Sequence, residues 1–130
     1  MTTAIAIRAP SIGTVKAVID PSESPVTASR IVESLPLRGT AKRWGDEVYF
    51  KVPLGLPPEN ARVEVEVGEV AYWPEGKCIC IFFGRTPISP PEGPIRAYSP
   101  VNVFARVVGD PTVFRRVVEG EEVALELLSE

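Results

Sequence analysis

The strongest constraint on this chain is an alternation of apolar and polar residues with period two, carried in short runs that Gly, Pro and Asp residues interrupt. That period belongs to strands with one face buried and the other in water. In residues 62–67, Val63, Val65 and Val67 fall on one side and Glu64 and Glu66 on the other. Residues 37–43 are predicted to turn Leu37, Gly39 and Ala41 inward, and residues 121–128 to set Val123, Leu125 and Leu127 opposite Glu122, Ala124 and Glu126. Residues 4–8 and 13–19 read as a hairpin, residues 47–52 as a strand after the Trp44-Gly45-Asp46 turn, and residues 101–108 as a strand ended by Gly109-Asp110-Pro111. Residues 77–83 differ in being apolar on both faces, with Cys78, Cys80 and Phe82 on one and Ile79, Ile81 and Phe83 on the other. Both faces must therefore be covered. Pro74-Glu75-Gly76, a turn in which Pro fixes φ and Gly can take positive φ, joins this strand to residues 70–73.

One segment breaks the period. Ala28, Ile31, Val32 and Leu35 are spaced i, i+3, i+4, i+7, which predicts an amphipathic helix with Ser24 as N-cap, Pro25 at its first position and Pro36 barring its continuation. A shorter helical turn is expected at residues 112–117. Residues 86–100 hold five prolines, Pro87, Pro90, Pro91, Pro94 and Pro100, and read as a long stiff loop that cannot donate to a ladder. Such a loop is either a rigid connection or one wall of a groove. Residues 54–60 form a smaller loop of the same kind. About eight short strands with one or two capping helices, in 130 residues, predict one mainly β domain over residues 1–130: a closed antiparallel barrel or a sandwich with helical lids.

Composition removes most chemistries. There is no histidine, so imidazole serves neither as base nor as metal ligand. The net charge of −3 and the lack of a basic block argue against nucleic acid as a partner. Residues 1–9 lack the basic start and apolar run of a secretory signal, and no apolar window reaches the roughly 20 residues that cross a bilayer, so a soluble, cytoplasmic protein without a membrane partner is expected. Cys78 and Cys80, two apart on a strand, stand about 6.5 Å apart along it, which suits two small buried side chains better than a disulfide. No spacing supports a metal site, no GxxxxGK[ST] loop is present, and no cofactor is implied.

What remains is an aromatic and polar set spread over several turns: Trp44, Glu47, Tyr49 and Phe50, then Tyr72 and Trp73, then Phe82, Phe83 and Arg85, then Tyr98 and Asn102. Large rings mixed with few polar groups are what a small-molecule pocket is made of, although rings of this size also fill the core of any small barrel. The candidate ligand contacts are Trp44, Glu47, Tyr49, Tyr72, Phe82, Phe83, Arg85 and Asn102, with Arg85 offering a planar fork to a carboxylate or carbonyl.

The blocks WGDEVYF at residues 44–50, YWP-x-G at residues 72–76 and FFG-x-TP at residues 82–87, with Ser99-Pro100-Val101-Asn102-Val103 after them, resemble an uncharacterised prokaryotic family of cyclophilin-like proteins. The resemblance spans roughly residues 35–128 and implies a cyclophilin-like fold, a closed antiparallel barrel with helices over its ends. Cyclophilins proper are peptidyl-prolyl isomerases that bind a twisted amide and present an arginine to the prolyl nitrogen. Their FHR-x-x-P-x-F arginine and the glutamine that follows have no counterpart here, since Tyr49-Phe50 is followed by Lys51-Val52-Pro53-Leu54. The aromatic set together with the missing catalytic groups predicts a binding module for a small molecule or peptide segment, the alternative being a divergent isomerase in which Arg85 or another groove arginine donates to the prolyl nitrogen. A third possibility is an assembly subunit that packs residues 86–100 on a second copy, making a homo-oligomer.

Overall fold

The computed structural model describes residues 3–128, so the ends of the chain, including Met1 and Thr2 of the expected leaderless start, lie outside the described residues. The elements run β1 (Ala4–Ala9), β2 (Gly13–Ile19), α1 (Pro25–Ser34), β3 (Leu37–Thr40), β4 (Lys42–Arg43), β5 (Glu47–Lys51), β6 (Arg62–Val65), β7 (Glu69–Trp73), β8 (Cys78–Phe82), β9 (Ile95–Val107), a 3-10 helix (Pro111–Arg116) and β10 (Glu122–Leu127). All pairings are antiparallel. The strand order is β3-β10-β1-β2-β9-β7-β8-β5-β4, with β6 attached to β9 off that path.

The mainly β, antiparallel expectation holds, but hydrogen bonds do not close the sheet. Its edges are β3 and β4, and only Ala41 separates these two in sequence, so the chain itself steps from one edge to the other. Gly39 permits the crossing: a β-carbon there would lie 2.7 Å from both Lys51 O and Phe50 Cδ2. The predicted strand over residues 37–43 is split by this step, which turns the nine runs read from the sequence into ten strands.

Two apolar clusters form on opposite sides of β5, β7 and β8. The larger gathers Val48, Phe50, Val70, Tyr72, Ile79, Ile81 and Phe83 with Ile5, Ile7, Phe104, Leu125 and Ile31 of α1. The smaller holds Ala71, Cys78, Cys80 and Phe82 under Val65, Ile95, Ala97, Val101 and Val103, with Tyr49 and Trp73 packed against it. The two-sided β8 is thus covered on both faces, as its sequence requires. Two inward expectations fail at strand ends: Val67, past the end of β6, and Leu127, the last residue of β10, are about half exposed. Ala124, expected outward, is buried between Arg8 and Arg38 of the neighbouring strands.

The proline-rich segment is also shorter as a loop than its composition suggests. β9 starts at Ile95 and passes through Pro100. Against β6, residue Arg62 pairs with Val101 while Glu64 pairs with Arg96, so residues 97–100 bulge opposite Val63. Pro100 sits inside that bulge, where no ladder donor is needed.

Helix α1 forms where predicted, but Ser24 does not cap it through its side chain. Its hydroxyl donates to Glu59 O instead, and the Glu59 carboxylate accepts from the backbone N–H groups of Val26 (3.0 Å) and Thr27 (2.8 Å) and from the Thr27 hydroxyl (2.7 Å). A residue from the loop before β6 thereby satisfies the helix's orphan donors. Burial pushes the Glu59 carboxyl up, but these hydrogen bonds from Thr27 and Val26 outweigh it and hold its pKa below the usual 4.5. Such stability is present above the unfolded pKa and is lost as pH falls through the folded one. Glu59→Gln is expected to cost about 1 kcal/mol at pH 7. Urea denaturation of both forms should show that cost shrinking below pH 4, and a cost independent of pH would refute the charged cap.

Candidate functional site

The geometry begins at the β4–β5 turn. Trp44 N–H donates to Glu47 O (3.0 Å) and Glu47 N–H donates to Trp44 O (3.2 Å), so the two residues face each other across a two-residue connection, Gly45-Asp46. Residues directly opposite in an antiparallel pair share a face, which sets the indole beside the carboxyl. Gly45 is required there: it takes φ 59°, and a β-carbon would stand 2.9 Å from Arg85 O. The register carries the same face across the sheet, since Glu47 pairs with Phe82, Tyr49 with Cys80, Ala71 with Cys80 and Trp73 with Cys78.

Above this face the bulge of β9 brings Ala97, Tyr98 and Ser99, and a cavity of about 320 Å³ opens between them. It is lined by Trp44, Glu47, Tyr49, Trp73, Cys80, Ala97, Tyr98, Ser99 and Val101. Of these, Cys80, Ala97 and Val101 are buried, whereas Tyr98 is 67% exposed and stands at the opening. Four rings succeed one another round the wall, each edge to face with the next: Trp44 and Tyr98 at 5.9 Å, Tyr98 and Trp73 at 5.8 Å, Trp73 and Tyr49 at 6.5 Å. Trp73 is clamped, because its Nε1–H donates to Ser99 Oγ and its ring lies against Gly76, where a β-carbon would come within 2.3 Å of it.

One charged group enters this apolar space. Glu47 is 5% exposed, and burial pushes its carboxyl up to about 7, tempered by a side-chain hydrogen bond with Cys80. The neighbouring groups remain neutral: burial raises the Cys80 and Cys78 thiols and the Tyr49 phenol, with Glu47 itself adding to each. Among the described residues no arginine or lysine pairs with Glu47 or lines the cavity. Glu69, also buried, is treated quite differently, taking Arg62 at 2.7 Å and Arg106 at 3.0 Å. Glu47 is thus a carboxyl held neutral or charged by its surroundings alone.

The structure brings together three of the eight candidate contacts, Trp44, Glu47 and Tyr49. Phe82 shares their face but lies wholly buried in the layer beneath. Tyr72 and Phe83 point to the opposite side, into the larger core, where the Tyr72 hydroxyl donates to Leu54 O and accepts from Leu56 N–H (3.1 Å). Asn102 is buried on that side as well. Its Oδ1 accepts from Glu59 N–H (2.9 Å) and its Nδ2 donates to Thr27 Oγ1 and Pro57 O (both 3.0 Å), so it fastens the loop of residues 54–60 to α1. Arg85 lies outside the cavity with its guanidinium spent on Pro90 O (2.7 Å) and Gly93 O (3.1 Å). The residues missed are Trp73, Tyr98, Cys80, Ala97, Ser99 and Val101. Period two could have found Trp73 and Cys80, because Trp73 and Tyr72 must face opposite ways, as must Phe82 and Phe83. The bulge that delivers residues 97–99 left no such pattern.

Comparison with known proteins agrees with this fold. The solution structure of a hypothetical protein from Archaeoglobus fulgidus is similar over 95% of this chain and 93% of that one, at 39% identity and a TM-score of 0.79. A structure of McbB in complex with tryptophan is similar over 97% of this chain but only 45% of its own, at 16% identity and a TM-score of 0.73, a likeness of fold. No curated protein matches. The cyclophilin-like family model matches residues 4–126, and the chain belongs to the cyclophilin-like family.

Proposed function

We propose that this protein is a binding module that takes a small molecule, or one side chain of a peptide segment, in the aromatic cavity over β5, β7 and β8. The observation that carries the reading is the combination of four rings, each edge to face with the next, with a single buried carboxyl in one opening of about 320 Å³. Apolar walls with one or two convergent polar groups are the composition of ligand pockets. The rings would exclude water and enclose an apolar body, and Glu47 would fix its orientation through a hydrogen bond or charge. That McbB was captured with tryptophan agrees with a small-molecule reading of the fold.

The position of Glu47 favours a second reading. A carboxyl that titrates near neutrality can give and take a proton, so the same cavity suits acid–base chemistry on whatever it binds. Turnover of a bound compound that disappears in Glu47→Gln while binding persists would establish it.

Both tryptophans of the chain, Trp44 and Trp73, line the cavity, so intrinsic emission excited at 295 nm reports on this site alone. A small-molecule screen is expected to yield compounds that change that emission and raise Tm, and Trp44→Ala and Tyr98→Ala are each expected to weaken them about tenfold. Compounds whose binding ignores both substitutions, or a screen without a single binder, would overturn the reading.

Burial of Glu47 also has a consequence for stability. Its folded pKa of about 7 lies above the unfolded value of 4.5, so the native state binds more protons between those limits and loses stability as pH rises through them. Glu47→Gln does not titrate. Relative to the parent it should gain stability between pH 4.5 and pH 8, by no more than about 3 kcal/mol. Urea denaturation at the two pH values measures this, and an unchanged difference would show that the carboxyl titrates normally.

A further inference from the structure

The cavity's chemistry singles out one class of ligand. We infer that the site binds an organic cation, an ammonium group carried on an apolar or aromatic body, with the rings of Trp44, Trp73 and Tyr98 around the charge and Glu47 as its counter-ion. The inference rests on the binding reading above and deepens it. Aromatic faces carry negative potential and attract cations, and several rings meeting at right angles present faces and edges to one small volume. Trp73 has already spent its N–H on Ser99, which leaves its π face as the part that a ligand meets. The other buried carboxylate among the described residues, Glu69, is neutralised by two arginines, whereas Glu47 faces the opening without any cation. A buried carboxylate lacking a partner is costly, and a bound ammonium would supply the missing charge.

The groups around Glu47 do not compete for that role. From β8 it faces the Cys80 thiol, with Cys78 farther along the strand; from β5, the Tyr49 phenol; from β9, Tyr98 and Ser99; and β7 brings Trp73, which does not titrate. Lys42 on β4 and Lys51 at the far end of β5 act on Cys78, and Glu119 acts on Tyr49, but none of the three lines the cavity. The ammonium would therefore meet a site whose charge is set by Glu47. Binding of a cation draws Glu47 to its ionised form, so below the pKa the process releases a proton.

The test compares phenethylamine with 2-phenylethanol, its neutral counterpart, by calorimetry and by Trp44 and Trp73 emission on the intact protein. At pH 8 the amine is expected to bind about tenfold tighter than the alcohol. Lowering the pH to 6 should remove most of that preference while leaving the alcohol unchanged. Glu47→Gln, checked for folding by circular dichroism, should lose most of the preference for the amine, and the pH series on the parent protein decides the matter even where that variant fails to fold. Equal affinity for the two compounds at pH 8 would overturn the cation assignment and leave the pocket standing. Failure of both to bind, when a neutral compound from the screen does, would have the same meaning. If nothing at all binds in the cavity, both readings fall together.

Discussion

Everything in this molecule follows from a strand that water may touch on neither face. Cys78, Ile79, Cys80, Ile81 and Phe82 are all buried, and no single layer can cover both sides of such a run. One side is met by the large core beneath α1 and the β1–β2–β10 strands, where Ile79, Ile81 and Phe83 pack. The other needs a second layer, and the chain supplies it by extending β9 back over the sheet and pinning β6 to it. That second layer is small. It covers Cys78 and Phe82 but ends short of Glu47, Tyr49 and Trp73, and the gap at its margin is the cavity. The site is therefore the unfinished edge of a two-sided core rather than an opening cut into a completed one.

The electrostatics follow from the same geometry. Alternation along β5 puts Val48 and Phe50 into the large core, so Glu47 and Tyr49 must take the other face, and burial there comes without any basic residue. A surface carboxylate would have been solvated, and a fully buried one demands a partner, as Glu69 does with Arg62 and Arg106. At the margin of the second layer Glu47 has neither, and its proton affinity rises until neutral and charged forms coexist near neutrality. Such groups lower stability, and departures of this kind from local consistency gather where a protein does its work.

How far the sequence could be read depends on whether a feature rests on periodicity or on its interruption. The strands, the β7–β8 hairpin, the helix after Ser24 and the two-faced burial of residues 78–83 were all legible, because period two, period 3.6 and turn residues leave local marks. That Trp44, Glu47 and Tyr49 share one cavity was legible for the same reason, since one turn and one strand order them. Tyr72, Phe83 and Asn102 lie on the face that Trp73, Phe82 and Val103 do not share, a parity that residue type alone does not reveal. Arg85 was misplaced because nothing local announces that its guanidinium serves the carbonyls of its own loop. The helix cap from Glu59, and the close passage of Gly39 by Phe50 and Lys51 at the step from β3 to β4, join residues that only the folded chain brings together.

The bulge of β9 is the feature that turns an edge into a site. Four residues, Ala97 to Pro100, stand where the partner strand offers one, so three side chains are re-aimed over a face that regular pairing would have left flat. Pro100 makes the irregularity durable: it lacks the N–H that a regular ladder would demand at that point, so sliding back into register would gain nothing there. The wall is consequently built of two kinds of backbone. Trp44, Tyr49 and Trp73 stand on tight ladders and a two-residue turn, while Tyr98 stands on the bulge at the mouth, 67% exposed and held by ring contacts with Trp44 and Trp73. Three rings are thus fixed by ladders and a turn, so in the proposed binding role selectivity would fall to these rings and Glu47, and adjustment to the shape of an occupant to Tyr98.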